Sequence, residues 1–105
     1  MIYNNLFEMV GNTPLVRLKE LEIDGCAQIY IKLEYKNPSG SIKDRAALSM
    51  LLGAINKGNL KPGMKIVEAT SGNTGIALAL FGSYLGYDVD IICLVLCQLK
   101  EGKQL

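Results

Sequence analysis

Asn37-Pro38-Ser39-Gly40-Ser41-Ile42-Lys43-Asp44-Arg45 decides how the chain is read. Asn-Pro and Ser-Gly are turn-forming pairs, so the stretch begins as a loop. Ser41, with Asp44 three residues later, fits the N-cap signature that opens a helix. Ile42, Ala46, Ala47, Met50, Leu51, Ala54 and Ile55 then recur at helical spacing. The loop therefore leads into a helix from Ile42 to about Lys57, with Lys43 in its first turn. The positive end of the helix dipole disfavours a second positive charge there and makes a neutral amine easier to reach. A neutral lysine amine is what Schiff-base chemistry requires. On position alone, the alternative is a solvated lysine beside a helix start.

Upstream, Ala27 to Leu33 alternates, with Ile29, Ile31 and Leu33 on one face, as a strand does. Leu15-Val16-Arg17-Leu18 is a shorter strand after the break at Gly11-Asn12-Thr13-Pro14. Asn4 to Val10 is mildly helical in pattern, and Lys19 to Gly25 is a polar surface loop. Downstream, Gly58 to Gly63 is a linker and Lys65 to Ala69 a short strand. Ile76 to Leu85 is almost wholly apolar and reads as a buried helix stopped by Gly86. Asp88 to Cys93 starts another strand, and the polar tail Gln98 to Leu105 could begin a helix. Strand, helix, strand, helix, strand is the order of consecutive βαβ units. The expectation is an α/β fold with a partial parallel sheet, right-handed crossovers and flanking helices.

Thr70-Ser71-Gly72-Asn73-Thr74-Gly75 joins the Lys65 strand to the next helix. A helix N-terminus offers unpaired N–H groups and partial positive charge. Gly72 and Gly75 allow close backbone approach, and Thr70, Ser71, Asn73 and Thr74 add side-chain donors. The set suits a carboxylate or a phosphate, off the carboxyl end of a strand where ligands bind in open α/β sheets. The competing reading is a tight turn in which Asn73 caps the helix. Neither nucleotide-binding glycine fingerprint is present. If both loops hang from one edge of a parallel sheet, Lys43 and this anion nest face one cleft.

Composition narrows the classes. The 105 residues make one small domain, and half of them are apolar. A net charge of +1 with both signs interspersed gives no nucleic-acid face. Met1 to Val10 has no basic segment followed by an apolar run, so a signal peptide is not expected there. The longest apolar run, Ile91 to Cys97, is far too short to span a bilayer, so a soluble, cytoplasmic protein is expected. Cys26, Cys93 and Cys97 are three, with no histidine in the chain. That makes a poor zinc site, removes the usual hydrolase triad and leaves the cysteines as reduced structural residues. No metal is expected.

Three ordered blocks carry a resemblance. Gly11 to Leu18, Lys32 to Arg45 and Glu68 to Gly75 together resemble cysteine synthase (O-acetylserine sulfhydrylase), of the fold-type II pyridoxal phosphate enzymes. The resemblance runs from Tyr3 to about Cys93 and implies an α/β fold like the N-terminal part of the tryptophan synthase β-like enzymes. It implies pyridoxal 5'-phosphate as cofactor, with Lys43 holding it as an imine and later moving the α-proton. It implies that Asn73 hydrogen-bonds the ring hydroxyl oxygen. Thr70, Ser71, Gly72 and Thr74, with Asn73, would grip the substrate carboxylate. The implied reaction is β-replacement: O-acetylserine and sulfide give cysteine and acetate. A cystathionine β-synthase-type activity is the neighbouring alternative.

In such families the cofactor-phosphate loop and a second domain lie further along than Leu105, and the enzymes are homodimers. Residues 1–105 are therefore expected to be the N-terminal portion of a pyridoxal phosphate enzyme domain without its C-terminal domain, marginally stable alone. The non-catalytic alternative is a truncated remnant or subdomain that associates with a full-length relative.

Overall fold

A computed structural model describes residues 2–70 and 72–93 of the chain. Its regular elements are β1 (Leu15–Arg17), β2 (Tyr30–Lys32), α1 (Lys43–Asn56), β3 (Lys65–Ala69), α2 (Asn73–Tyr84) and β4 (Asp88–Ile92). Short 3-10 turns occur at Leu6–Met9, Lys19–Leu21 and Glu34–Lys36.

The α/β class holds, but the parallel pairing is narrower than the element order suggests. β3 and β4 pair in parallel, with Val67 opposite Asp90, and α2 is their crossover. β2 does not join them. It pairs antiparallel with β1, Val16 opposite Ile31, in a separate two-stranded ribbon. Backbone bonds from Leu18 N to Ile29 O and from Leu33 N to Pro14 O, both 2.9 Å, extend that ladder at its ends. The connection over residues 18–29 carries no crossover helix and brings the two strands together as antiparallel neighbours. Ile29 and Ile31, which share one face of the alternation, are 36% and 43% exposed.

The core lies between the helices and the β3–β4 sheet. Ala47 and Leu51 of α1 and Ala77, Leu78 and Phe81 of α2 form one buried cluster, with Ile66 and Ile91 packed against it. Gly75 and Gly82, two turns apart on α2, bring that helix close to the strands. A β-carbon on Gly75 would lie 2.5 Å from Thr70 Cγ2 and 2.9 Å from Ile91 Cγ2; one on Gly82 would lie 2.6 Å from Val89 Cγ2. Gly75 thus serves helix–strand contact rather than the approach of a ligand. α2 is less uniformly buried than its composition suggests, since Ile76 and Tyr84 are about half exposed. Gly86, at φ +93°, follows the end of α2, as expected.

The N-terminal segment is stapled to α2. Asn5 and Glu8 form a reciprocal capping box, Glu8 N donating to Asn5 Oδ1 and Asn5 N to Glu8 Oε2. The turn so fixed places the Phe7 ring 5.8 Å from Phe81 and edge-on to Tyr84 at 5.1 Å. Among the described residues, no helix is long and apolar enough to cross a membrane. Cys26 and Cys93 are free and exposed. Cys97 and the tail from Gln98 lie outside the described residues.

Candidate functional site

Lys43 is the first residue of α1 and is exposed. Its Nζ has no hydrogen-bond or ion-pair partner among the described residues. The turn beneath it is tightly held, though not as the sequence suggests. Ser41 is not the N-cap. Ile42 takes that place with helical dihedrals, and Ser41 Oγ accepts from Lys43 N at 3.1 Å. Asp44, fully buried, turns back to accept from Ser39 N at 2.7 Å and from the Ser39 hydroxyl. The bonded pair at the helix start is therefore Ser39 with Asp44, Ser39 donating both bonds. A buried carboxylate requires such donors, and its place in the first turn suits the helix dipole.

A second set of bonds surrounds the loop. Arg45 donates to Glu34 through Nε at 2.7 Å and Nη2 at 2.9 Å, and to Gly11 O at 3.1 Å. The Thr13 hydroxyl donates to Glu34 Oε2 at 2.5 Å. Together these hold the Glu34 carboxyl at about 2, the Arg45 hydrogen bonds contributing most. Asn37, 3% exposed, bonds Gly11, Glu34 and Ser41. None of this was legible as site machinery. Glu34 and Arg45 stand eleven positions apart, a spacing without a local rule.

At the other loop, α2 begins at Asn73, three residues before the expected Ile76. Asn73 is not the cap; Gly72 is, in extended backbone at φ −162°. Thr70 Oγ1 accepts from Gly72 N at 3.3 Å. The amides of Asn73 and Thr74 have no partner among the described residues. Asn73 and Gly72 are exposed, Thr70 and Thr74 half-buried, and no atom would lie within 4 Å of a β-carbon on Gly72. Ser71 lies outside the described residues.

The two loops do not share a sheet edge, because β2 stands apart from β3 and β4. Helix packing relates them instead. Ala47, one turn after Lys43, and Ala77, one turn after Asn73, belong to the same buried cluster. Two clefts lie elsewhere. One of about 450 Å³ is lined by Tyr3, Gly11, Asn12, Thr13 and Lys32. Another of about 280 Å³ lies among Met50, Ala54, Leu60, Ile66 and Leu78.

An accessible amine on a fixed turn suits an aldehyde, and an exposed amide with open helix-start N–H groups suits hydroxyl and carboxylate oxygens. Residues 6–103 match the family model described as pyridoxal-phosphate dependent enzyme. The chain belongs to that family. This pyridoxal-phosphate family member is 52% identical over 89 residues to cysteine synthase B of Salmonella typhimurium, covering 85% of this chain and 29% of that protein. The crystal structure of cysteine synthase from Entamoeba histolytica superposes with a TM-score of 0.77 at 48% identity, over 87% of this chain and 28% of that one. That of O-ureido-L-serine synthase superposes with a TM-score of 0.81 at 45% identity, over 89% and 29%. The chain thus spans about 29% of the length of the curated relatives it matches.

Proposed function

We propose that this chain carries the lysine and carboxylate-binding parts of a cysteine synthase site, for pyridoxal phosphate-dependent β-replacement of O-acetylserine by sulfide. The carrying observation is Lys43: an exposed amine without a partner among the described residues, on a turn fixed by the buried Asp44, in a chain 52% identical over 89 residues to part of cysteine synthase B. In this reading residues 1–105 are the N-terminal portion of the enzyme domain.

Pyridoxal phosphate, when bound, supplies an electron sink for the substrate α-carbon. Lys43 Nζ has two tasks, the covalent hold on the cofactor's aldehyde carbon and the carriage of the α-proton. The Asn73 amide would donate to the cofactor's ring hydroxyl oxygen. Thr70, Ser71, Gly72, Asn73 and Thr74 hold the substrate carboxylate, aided by the positive end of α2. O-acetylserine and sulfide are the substrates, and acetate leaves.

The test is an absorbance titration of the chain with pyridoxal phosphate, followed by O-acetylserine. The amino acid is expected to change the cofactor's visible band, with Thr74→Ala weakening its binding about tenfold, the worth of one hydrogen bond to a charged group. A band indifferent to O-acetylserine contradicts the proposal.

A second reading, a non-catalytic subdomain that associates with a full-length relative, draws support from the ribbon. Every residue of β1 and β2 is exposed, with Leu15 at 62% and Tyr30 at 49%. Apolar ribbon residues of this kind are suited to cover by another chain.

A further inference from the structure

Asn37 is buried between three segments that converge on the Lys43 turn. Its Oδ1 accepts from Gly11 N at 2.8 Å. Its Nδ2 donates to Glu34 O at 3.0 Å, Glu34 Oε1 at 3.1 Å and Ser41 O at 3.0 Å. Two N–H groups thus serve three acceptors, so one of these bonds is shared. Ser41 is two residues before Lys43. Glu34 in turn holds Arg45, two residues after it. Gly11 is at φ +83°, and a β-carbon there would meet Nη1, at the far end of the Arg45 side chain, at 2.8 Å. The backbone is therefore tied on both sides of the lysine, and one amide touches both ties: it bonds Ser41 O directly and the Glu34 carboxylate that holds Arg45.

We propose that Asn37 is a positioning residue for Lys43. It fixes the backbone from which the amine projects, through Ser41 on one side and Glu34–Arg45 on the other. This rests on Lys43 being the cofactor lysine. The role needs a side chain that donates and accepts at once. Asn37→Asp keeps the shape and the acceptor for Gly11 N, but loses the donors and sets a carboxylate beside that of Glu34. Asn37→Ala loses everything. The Ser39–Asp44 pair is untouched in both, so α1 keeps one anchor.

The probe is pyridoxal phosphate, incubated with the full chain, reduced with borohydride and located by peptide mapping. The readout is label on Lys43 relative to Lys57, which closes the far end of the same helix. Lys57 reports non-specific labelling, and a core-trimmed variant reports what destabilisation alone does to the ratio. The ratio is expected to fall about tenfold in Asn37→Ala and Asn37→Asp, since small misplacements of a reacting group cost factors of this order. Leu60→Ala, a core trim outside the loop network, is expected to keep the wild-type ratio. Asn37→Ser, which retains one donor and acceptor, serves if the other two do not fold. A folded Asn37 variant with the wild-type ratio overturns the positioning role while leaving Lys43's own role intact. A wild-type chain that labels Lys43 no better than Lys57 overturns both.

Discussion

Arg45 grips Glu34 with both arms of its guanidinium, Nε to Oε1 at 2.7 Å and Nη2 to Oε2 at 2.9 Å. The first turn of α1 is thereby bound to the turn that precedes the lysine loop. The Glu34 carboxyl is held at about 2, below its ordinary 4.5. The Arg45 hydrogen bonds lower it most, the Thr13 hydroxyl next, while partial burial opposes them and Asn37 adds a smaller lowering.

The sign of the pH effect follows. A carboxyl whose folded pKa is depressed favours the folded state above its unfolded pKa, and that contribution is lost as acid titrates it. Wild-type stability should therefore fall as pH drops from about 4.5 to about 2. Urea melts across that range should give a shallower acid slope for Glu34→Gln. Equal slopes would mean that the pair does not couple to folding.

The glycines of α2 make a separate test. Gly75→Ala and Gly82→Ala each insert a methyl where atoms already lie at 2.5–2.6 Å. Each should cost about 1–3 kcal/mol, the range for overpacking. Gly53→Ala, within α1 and with open space around it, should instead stabilise by about 0.5–1 kcal/mol through helix propensity. Chemical denaturation of the three variants checks both signs.

Phe81 joins α2 to the N-terminal staple and is fully buried. Phe81→Ala should cost about 3–5 kcal/mol. Against a total of about 5 kcal/mol, the low end for an ordinary domain and the one expected of a marginally stable chain, that loss should leave a measurable unfolded fraction by circular dichroism at room temperature. A variant as cooperative and stable as wild type would place the core elsewhere.

The sequence and the structure agree where the signal is local. Alanine and leucine at helical spacing, the strand Lys65–Ala69 and the stop at Gly86 are all short-range patterns, and each element forms where it was expected. What failed depended on partners. The alternation in Ala27–Leu33 gives a strand but not its neighbour, and β2 pairs with β1 rather than with β3 or β4. Ser41 has the residue type of a cap, yet Asp44 bonds Ser39 instead. Lys43 and Asn73 were recognisable as chemistry-bearing residues because a lysine at a helix start and a glycine-rich helix start have local signatures. Asn37, Glu34 and Arg45 were not, because their joint role exists only once three separated segments meet.

The most direct test of the account is whether Lys43 captures pyridoxal phosphate. The measurement is the visible spectrum of the purified chain with the cofactor, for wild type and Lys43→Ala, with borohydride reduction and peptide mapping of each. The account predicts an imine band in wild type, its loss in the variant, and the reduced label on Lys43. An equal band in the variant, or label spread evenly over the lysines, would contradict it.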